Sequence, residues 1–176
     1  MTLPQGYRIV RRTPEYDASL LAIENRAAEL FRAHGYPQVA DSPFPDVAAI
    51  RNLFAGRDVR VAADASGPAG FIVSAPLGPY LHIHELSVDP AHGRRGIGAA
   101  LVEHVSQAAS EGRFDGVSLT TFRDVPFNEP FYVKLGFAEA HHPLLLERLA
   151  IETPDGVDPA SRIAMIRLHS AFVANM

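Results

Sequence analysis

A glycine-rich turn just past the middle of the chain carries the clearest pattern for binding chemistry. Glycines stand at positions 93, 96 and 98, and Arg94 and Arg95 lie between the first two. A strand-like segment precedes the turn and a helix-like segment follows it, so unpaired backbone N–H groups would converge where the helix begins. The helix dipole and two guanidinium groups would add positive potential there. The pattern predicts a site for a phosphate-rich anion such as a pyrophosphate.

Two other phosphate-binding motifs fail on their spacing. A P-loop needs a Gly-Lys-Ser/Thr triplet, which the sequence lacks. A dinucleotide-binding fingerprint needs a third small residue where Leu101 stands, and it usually opens the first strand-helix unit of a domain. On this segment alone, the alternative to a binding loop is a turn that only caps a helix.

Three ionisable residues lie on the strand-like segment that leads into the turn. Strand alternation puts His82 and His84 on one face and Glu85 on the other. Two histidines at this spacing could ligate a metal ion, but the sequence offers no evident third ligand beside them. Histidine and glutamate are also the residue types that most often move protons in enzymes.

The elements that must position these residues alternate in type along the chain. Helix signals extend from Thr13-Pro14 to about Ala33 and return over 46–55, with loop composition between them. Strand-like runs over 59–64 and 69–75 flank a turn and predict an antiparallel hairpin. Further strands are expected at 7–12, 81–88, 117–121 and 162–168, and further helices at 97–111 and 128–135. The fold class expected is α/β or α+β with a mixed sheet.

Composition narrows the class of protein. The chain has 176 residues, of which 47% are hydrophobic and 20% charged, so we expect one globular domain over residues 1–176. The absence of cysteine excludes disulfides, thiolate zinc sites and an acyl-cysteine intermediate. A net charge of −4 argues against nucleic acid as a partner. No apolar run approaches a membrane span and residues 1–12 lack a secretory signal, so we expect a cytoplasmic protein without a membrane partner.

Two motifs in the expected order carry a family resemblance. The first joins Val88-Asp89-Pro90 to Arg94-Arg95-Gly96-Ile97-Gly98-Ala99, and the second runs from Asn128 through Tyr132 to Gly136-Phe137. Together they resemble the GNAT superfamily of acyl-CoA-dependent N-acyltransferases, over roughly residues 7–168. Gly93 departs from the family pattern, which generally has Gln or Arg there, so one side-chain contact is lost and the backbone cradle is kept.

The resemblance implies a GNAT-like sheet, mixed and mostly antiparallel, flanked by helices and splayed where acetyl-CoA enters as cosubstrate. In the family, the backbone of the preceding strand pairs with the pantetheine arm of the cofactor. The residues that the resemblance assigns to cofactor binding are Leu86, Ser87, Val88, Gly93, Arg94, Arg95, Gly96, Ile97, Gly98, Ala99, Asn128 and Tyr132.

Catalytic roles follow from the chemistry of acetyl transfer. A phenol can protonate the CoA thiolate as it leaves, and the motif makes Tyr132 the candidate acid, whereas without it Tyr132 would be a core aromatic. An ammonium must lose a proton before it attacks, and Glu85 is the first choice of base, followed by His84. Glu85 could instead be a paired structural residue, and Asn128 could simply cap its helix.

The expected function is transfer of an acetyl group from acetyl-CoA directly to a primary amine of a small molecule. Residues 24–44 lie where the family usually builds its acceptor pocket, and Glu24 and Tyr36 give this segment acidic and aromatic character. One rival is a protein or peptide N-acetyltransferase, and another is a non-catalytic acyl-CoA-binding module. Dimers are frequent in the family, so a homodimer is also compatible with the resemblance.

Overall fold

The computed structural model describes residues 3–169. Its strands are β1 (Arg8–Arg11), β2 (Asp58–Asp64), β3 (Gly67–Leu77), β4 (Tyr80–Val88), β5 (Gly116–Phe122), β6 (Ala138–Glu139) and β7 (Arg162–Leu168). Its α-helices are α1 (Asp17–Ala28), α2 (Pro37–Ala40), α3 (Val47–Phe54), α4 (Ile97–Glu111), α5 (Glu129–Lys134) and α6 (Pro143–Glu152). Shorter 3-10 helices span Pro14–Tyr16, Glu29–His34, Pro90–His92 and Pro159–Ser161. None of the helices within residues 3–169 is long and apolar enough to cross a lipid bilayer.

The strands form one sheet in the order β1-β2-β3-β4-β5-β7-β6. Strands β4 and β5 are parallel, with Tyr80–Ile83 opposite Gly116–Leu119. The pairs β1/β2, β2/β3, β5/β7 and β6/β7 are antiparallel. A parallel pair needs a long crossover, and α4 lies in the connection between β4 and β5. The predicted fold class, a mixed and mostly antiparallel sheet with flanking helices, is confirmed.

The chain groups into two compact units. The first contains Met1–Ala75 and Glu85–His104, and the second contains Pro76–His84 and Val105–Met176. The core of the first unit is built from α1, α3, β2 and β3, whose apolar residues recur at helical spacing on the helices and at every second position on the strands. Its buried side chains are Leu20, Ile23, Ile50, Phe54, Val59, Val61, Ala63, Phe71 and Val73.

The second unit has its own apolar cluster, to which α6, β4 and β7 contribute. Tyr80, Leu145 and Ala164 are buried there, and α6 packs on β5 and β7. Gly116 lies opposite β7, where an added Cβ would stand 2.3 Å from the carbonyl oxygen of Arg167. This close approach of two backbones explains why glycine begins β5.

Most predicted elements are confirmed within two or three residues. The expected hairpin is β2-β3, in which Asp64 pairs with Gly67 across a two-residue turn. Helix α4 spans the predicted 97–111. These segments have strict periodicity and clear terminating residues, so local pattern alone determines them.

Other elements differ from the prediction. The first helix does not continue to Ala33 as an α-helix, because α1 ends at Ala28 and a 3-10 helix runs on to Gly35, where φ is +88°. Helix α2 occupies part of the predicted loop, and β6 and α6 were not predicted. Helix α6 lacks a clean apolar stripe, since Leu145 is buried while Leu144 and Leu146 are exposed.

Candidate functional site

The chain passes from the end of β4 into the glycine-rich turn at Asp89, in the first unit, where several hydrogen bonds stabilise the backbone. The Asp89 carboxylate accepts hydrogen bonds from the Ala91 N–H at 3.0 Å and from the Arg26 guanidinium at 2.6 Å. The Asp89 N–H donates to the Ala69 carbonyl at 2.8 Å. The Arg26 hydrogen bond holds the pKa of Asp89 below its usual value. Helix α1 and strand β3 thereby fix the direction in which the chain enters the turn.

The turn itself has the backbone geometry that an anion cradle requires. Arg94 and Gly96 have positive φ angles of 57° and 85°, and α4 begins at Ile97. The Ala100 N–H donates to the Gly96 carbonyl at 3.0 Å, so the N–H groups of the three preceding residues point out of the helix end without an intrahelical acceptor. An added Cβ at Gly96 would meet nothing within 4 Å, so the space beside the turn is open.

The two arginines of the turn are both exposed but differ in their contacts. The guanidinium of Arg95 donates to the Tyr7 hydroxyl at 3.1 Å and to the Ala91 carbonyl at 3.4 Å. The Tyr7 hydroxyl also bonds to Nδ1 of His92 at 2.6 Å. These contacts hold Arg95 along the 3-10 helix that precedes the turn, while Arg94 stands at the turn itself with its side chain in solvent.

On the first-unit part of β4, Glu85 faces other acidic and polar groups. The Ser87 hydroxyl donates to Glu85 at 2.9 Å, which places both side chains on one strand face as alternation predicts. Glu24 on α1 is half-buried, and one of its carboxylate oxygens has no hydrogen-bond partner among residues 3–169. Burial, and then the charge of Glu85, raise the pKa of Glu24 to about 7. Glu24 and Glu85 therefore form a coupled acidic pair.

On the second-unit part of β4, the two histidines share the other face, as predicted, with ring centroids 4.9 Å apart. Glu152 at the end of α6 bonds to both, to Nε2 of His82 at 3.3 Å and to Nδ1 of His84 at 3.0 Å. The Thr120 hydroxyl donates to the same carboxylate at 2.8 Å, and Nδ1 of His82 bonds to the Ser118 hydroxyl at 2.9 Å. We call these five residues the His-Glu cluster.

The electrostatics of the His-Glu cluster favour a charged Glu152 beside a neutral His82. Burial raises the pKa of Glu152, but hydrogen bonds from His82 and His84 outweigh it and lower the value to about 2. Burial lowers the pKa of His82, whose side chain is fully buried. Arg148 lies 3.9 Å from the Glu152 carboxylate and adds a compensating positive charge.

Tyr132 lies on α5 in the second unit and is 8% exposed. Its ring packs edge-on against Phe131 and Phe137, with centroids 5.0 and 5.6 Å away. Asn128 stands at the N-cap of α5 but its side chain makes no capping hydrogen bond, so the capping role considered for it is wrong. The backbone carbonyl of Asn128 instead accepts from the Tyr132 N–H at 3.0 Å.

A family model matches this arrangement. Residues 55–139 match the model described as the acetyltransferase (GNAT) domain. Residues 55–139 form a GNAT acetyltransferase domain. The matched segment contains β4, the glycine-rich turn, α4, β5 and α5, which are the elements that hold the predicted site residues. The superfamily and the acyltransferase class predicted from the sequence are thus confirmed.

Solved GNAT structures share the fold at low sequence identity. Ard1 from Thermoplasma volcanium is 22% identical with a TM-score of 0.65, and the match covers 93% of this chain and 99% of that one. The PaiA N-acetyltransferase of Thermoplasma acidophilum, solved with coenzyme A, has 15% identity, a TM-score of 0.70 and the same coverage. The ribosomal-protein-S18-alanine N-acetyltransferase of Escherichia coli has 19% identity and a TM-score of 0.67, covering 92% and 93% of the two chains.

Sequence reasoning missed Glu152 because it missed α6. The sequence carried one signal, the His82-x-His84 pair, whose buried imidazoles need a hydrogen-bond acceptor from elsewhere in the fold. Ser118 and Thr120 could have been suggested as neighbours, since they alternate on a predicted strand. The acceptor itself comes from an element 68 residues away from His84 along the chain.

Proposed function

We propose that this GNAT protein is an enzyme that transfers an acetyl group from acetyl-CoA directly to a primary amine of a small molecule. The observation that carries the proposal is the open turn at the start of α4, with two positive φ angles and a helix end without intrahelical acceptors, inside the segment that matches the family model. Such a turn offers several backbone N–H groups to the pyrophosphate of the cosubstrate. A non-catalytic acyl-CoA-binding module would not need the acidic pair or the His-Glu cluster to which β4 contributes.

The cosubstrate would be held by backbone more than by side chains. The N–H groups of the turn suit the pyrophosphate, and Arg94, which is exposed at the turn, would pair with a phosphate group. The backbone of Leu86, Ser87 and Val88 is the proposed partner of the pantetheine arm. Gly93, Arg95, Ile97, Gly98 and Ala99 complete the proposed binding segment. Asn128 and Tyr132 belong to the same proposal through the second motif.

The reaction begins with loss of a proton from the ammonium of the acceptor, because only the neutral amine has a free lone pair. The amine nitrogen then attacks the thioester carbonyl, forming a C–N bond and a tetrahedral intermediate. Collapse of the intermediate breaks the C–S bond and releases the CoA thiolate, which takes up a proton. We assign that proton to the Tyr132 hydroxyl, which is restored by the second proton that the nitrogen loses as the amide forms. We assign the removal of the first proton to a residue of β4, Glu85 or His84.

A cationic acceptor fits the charges of the first unit. The acidic side chains Glu24 and Glu85 would attract a cationic acceptor, because a nearby positive charge would offset the repulsion that raises the pKa of Glu24. The net charge of −4 acts in the same direction at longer range. The Escherichia coli structural relative is named for a protein substrate, so a peptide acceptor is the alternative to include in any screen.

The first experiment is calorimetric titration of acetyl-CoA into the wild type and into Gly96→Glu. A side chain and a negative charge in the cradle should weaken the Kd at least about tenfold. Gly156→Glu is the matched control, since Gly156 also has a positive φ, of 77°, and open space around it, but lies outside the turn. Equal affinities for all three proteins, or no binding by the wild type, would reject the cosubstrate site.

An acceptor screen separates small amines from peptides. Release of free CoA thiol is measured with a panel of primary amines and with peptides that differ in their N-terminal residue or in an internal lysine. Turnover confined to small amines supports the proposal. Turnover confined to peptides would show that the acceptor is a peptide, and the proposed steps of acetyl transfer would still apply.

A further inference from the structure

We propose that Glu152 is a positioning residue that fixes His84 as the Nδ1–H tautomer and thereby makes His84, through Nε2, the general base of acetyl transfer. The inference deepens the proposed function and rests on it. It resolves the choice between Glu85 and His84 in favour of the residue held by the His-Glu cluster.

Glu152 can only accept hydrogen bonds, because an ionised carboxylate carries no proton. Its Oε2 accepts from the Thr120 hydroxyl at 2.8 Å. Thr120 Oγ1 also accepts from the Arg162 guanidinium at 3.0 Å, an arrangement that leaves its hydroxyl hydrogen directed at the carboxylate. Every other group bonded to the carboxylate of Glu152 must therefore donate to it.

This requirement fixes the proton of His82. Its Nε2 lies 3.3 Å from Glu152 Oε2, so Nε2 carries the hydrogen. Its Nδ1 lies 2.9 Å from the Ser118 hydroxyl, which then donates to it. A fully buried neutral imidazole satisfied at both nitrogens cannot reach a substrate. His82 is thus a structural member of the cluster.

The same requirement fixes His84 as the other tautomer, with its hydrogen on Nδ1. Its Nδ1 lies 3.0 Å from Glu152 Oε1 and must donate, so the neutral ring carries its lone pair on Nε2. Within residues 3–169, Nε2 of His84 has no hydrogen-bond partner and is not among the buried polar atoms that lack one. The side chain keeps 8% of its surface exposed. The lone pair of Nε2 is consequently open to an incoming proton.

The resulting step balances without any further reactant. Nε2 of His84 takes a proton from the acceptor ammonium, which leaves a neutral amine and an imidazolium. The Glu152 carboxylate, already bonded to Nδ1–H, stabilises that imidazolium in the way a buried carboxylate supports the histidine of a hydrolytic triad. The amine then attacks the thioester, and Tyr132 protonates the CoA thiolate as the C–S bond breaks. The nitrogen loses its second proton as the amide forms, which restores the Tyr132 hydroxyl through solvent, and the imidazolium releases the first proton to solvent.

A metal ion is the competing occupant, because His82, His84 and Glu152 bring possible ligand atoms within 4.8 Å of one another. Nε2 of His82 and Nδ1 of His84, the atoms that would face the ion, already donate to Glu152. Arg148 at 3.9 Å supplies positive charge to the same carboxylate. The cluster is therefore satisfied in both hydrogen bonds and charge, and the metal becomes an outcome of the test.

The direct test is the tautomer of His84, read from the imidazole ¹⁵N shifts of the full chain at pH 8, with the signals assigned by their loss in His84→Asn. The wild type should show protonated Nδ1 and unprotonated Nε2. Glu152→Gln, which offers one acceptor and one donor where the carboxylate offered two acceptors, should shift the population toward the other tautomer in at least one histidine. Glu147→Gln is the matched control, since Glu147 lies on the same helix and is exposed. An Nε2–H tautomer in the wild type would overturn the proposal.

The catalytic role of His84 is tested by steady-state kinetics with the first amine that the acceptor screen identifies. Glu152→Gln should lower kcat about 10²-fold or more with little change in KM for acetyl-CoA, and Glu147→Gln should change neither. An altered tautomer with unchanged kcat would show that His84 is not the base. One equivalent of zinc in the purified wild type, absent from Glu152→Gln, would replace the proposal with a metal site. If the wild type binds acetyl-CoA but turns over no acceptor, the base assignment falls with the proposed function, while the tautomer result stands independently.

Discussion

At the scale of single residues, the chemistry depends on which protons sit where. Tyr132 and Tyr80 are both 8% exposed, so burial alone does not distinguish an acid from a core aromatic. Tyr132 belongs to the second sequence motif, which begins at Asn128, and Tyr80 belongs to neither motif. A measurement of activity is needed to tell a catalytic tyrosine from a packing one. Replacing either tyrosine by phenylalanine removes one hydroxyl, so the Tyr80 variant is a matched control for the Tyr132 variant.

We expect Tyr132→Phe to lower kcat about 10²-fold while leaving the Kd for acetyl-CoA within about threefold, because the phenol acts on the leaving thiolate rather than on cofactor binding. Tyr80→Phe should change neither quantity. Single-turnover acetylation and calorimetry measure the two. Equal activity of the Tyr132 variant and the wild type would return Tyr132 to the role of a packing residue.

Glu24 gives a prediction about stability and pH. Its folded-state pKa, about 7, lies above the ordinary value of 4.5, so the folded protein binds a proton more tightly than the unfolded chain between these limits. Stability is therefore lost as the pH rises from 4.5 to 7. Glu24→Gln should raise the free energy of unfolding at pH 8 by on the order of 1–2 kcal/mol, with little gain at pH 4, as measured by urea denaturation.

The control for Glu24 is Glu29→Gln on the following 3-10 helix. The hydrogen bond from Arg32 lowers the pKa of Glu29, so removing its charge should not stabilise the protein at pH 8. A similar gain from both variants would indicate a general effect of net charge instead of the coupled pair.

At the scale of elements, the ion pair between Arg26 and Asp89 links α1 to the start of the glycine-rich turn. Arg26→Met should weaken acetyl-CoA binding about two- to fivefold, since the pair is partly exposed and contributes roughly 0.5–1 kcal/mol to holding the turn. Arg32→Met removes a comparable surface pair, to Glu29 and Asp41, and should leave binding unchanged. Matching affinities for both variants would show that α1 does not organise the turn.

Prediction from sequence succeeded where an element's pattern is local. The turn 93–99 and α4 were placed correctly because glycine spacing and a helical apolar stripe occur within one short segment. Helix α6 was missed because its burial depends on β5 and β7, which lie elsewhere in the chain. Glu152 was missed with it, since a hydrogen bond between residues 68 positions apart leaves no periodic trace.

At the scale of the whole molecule, the His-Glu cluster gives an acid limit to stability. Burial lowers the pKa of His82 below 6.5, and the folded-state pKa of Glu152 lies near 2 instead of 4.5. In both cases the unfolded chain binds protons more readily, so stability falls as the pH drops below 6.5 and again below 4.5. His82→Gln should flatten the first part of this profile between pH 7 and 5 in urea titrations. An unchanged slope would contradict a neutral buried His82.

The left-handed conformation of Arg94 has a consequence for evolution of the protein. A residue with a Cβ at φ of 57° costs roughly 1 kcal/mol relative to glycine, and Gly96, whose φ is 85°, has no such penalty. Laboratory selection for heat resistance alone should therefore recover Arg94→Gly, and the survivors should need more acetyl-CoA to reach half-saturation. Selection that also demands turnover at scarce cosubstrate should keep the arginine, so position 94 would report which of the two pressures a population has experienced.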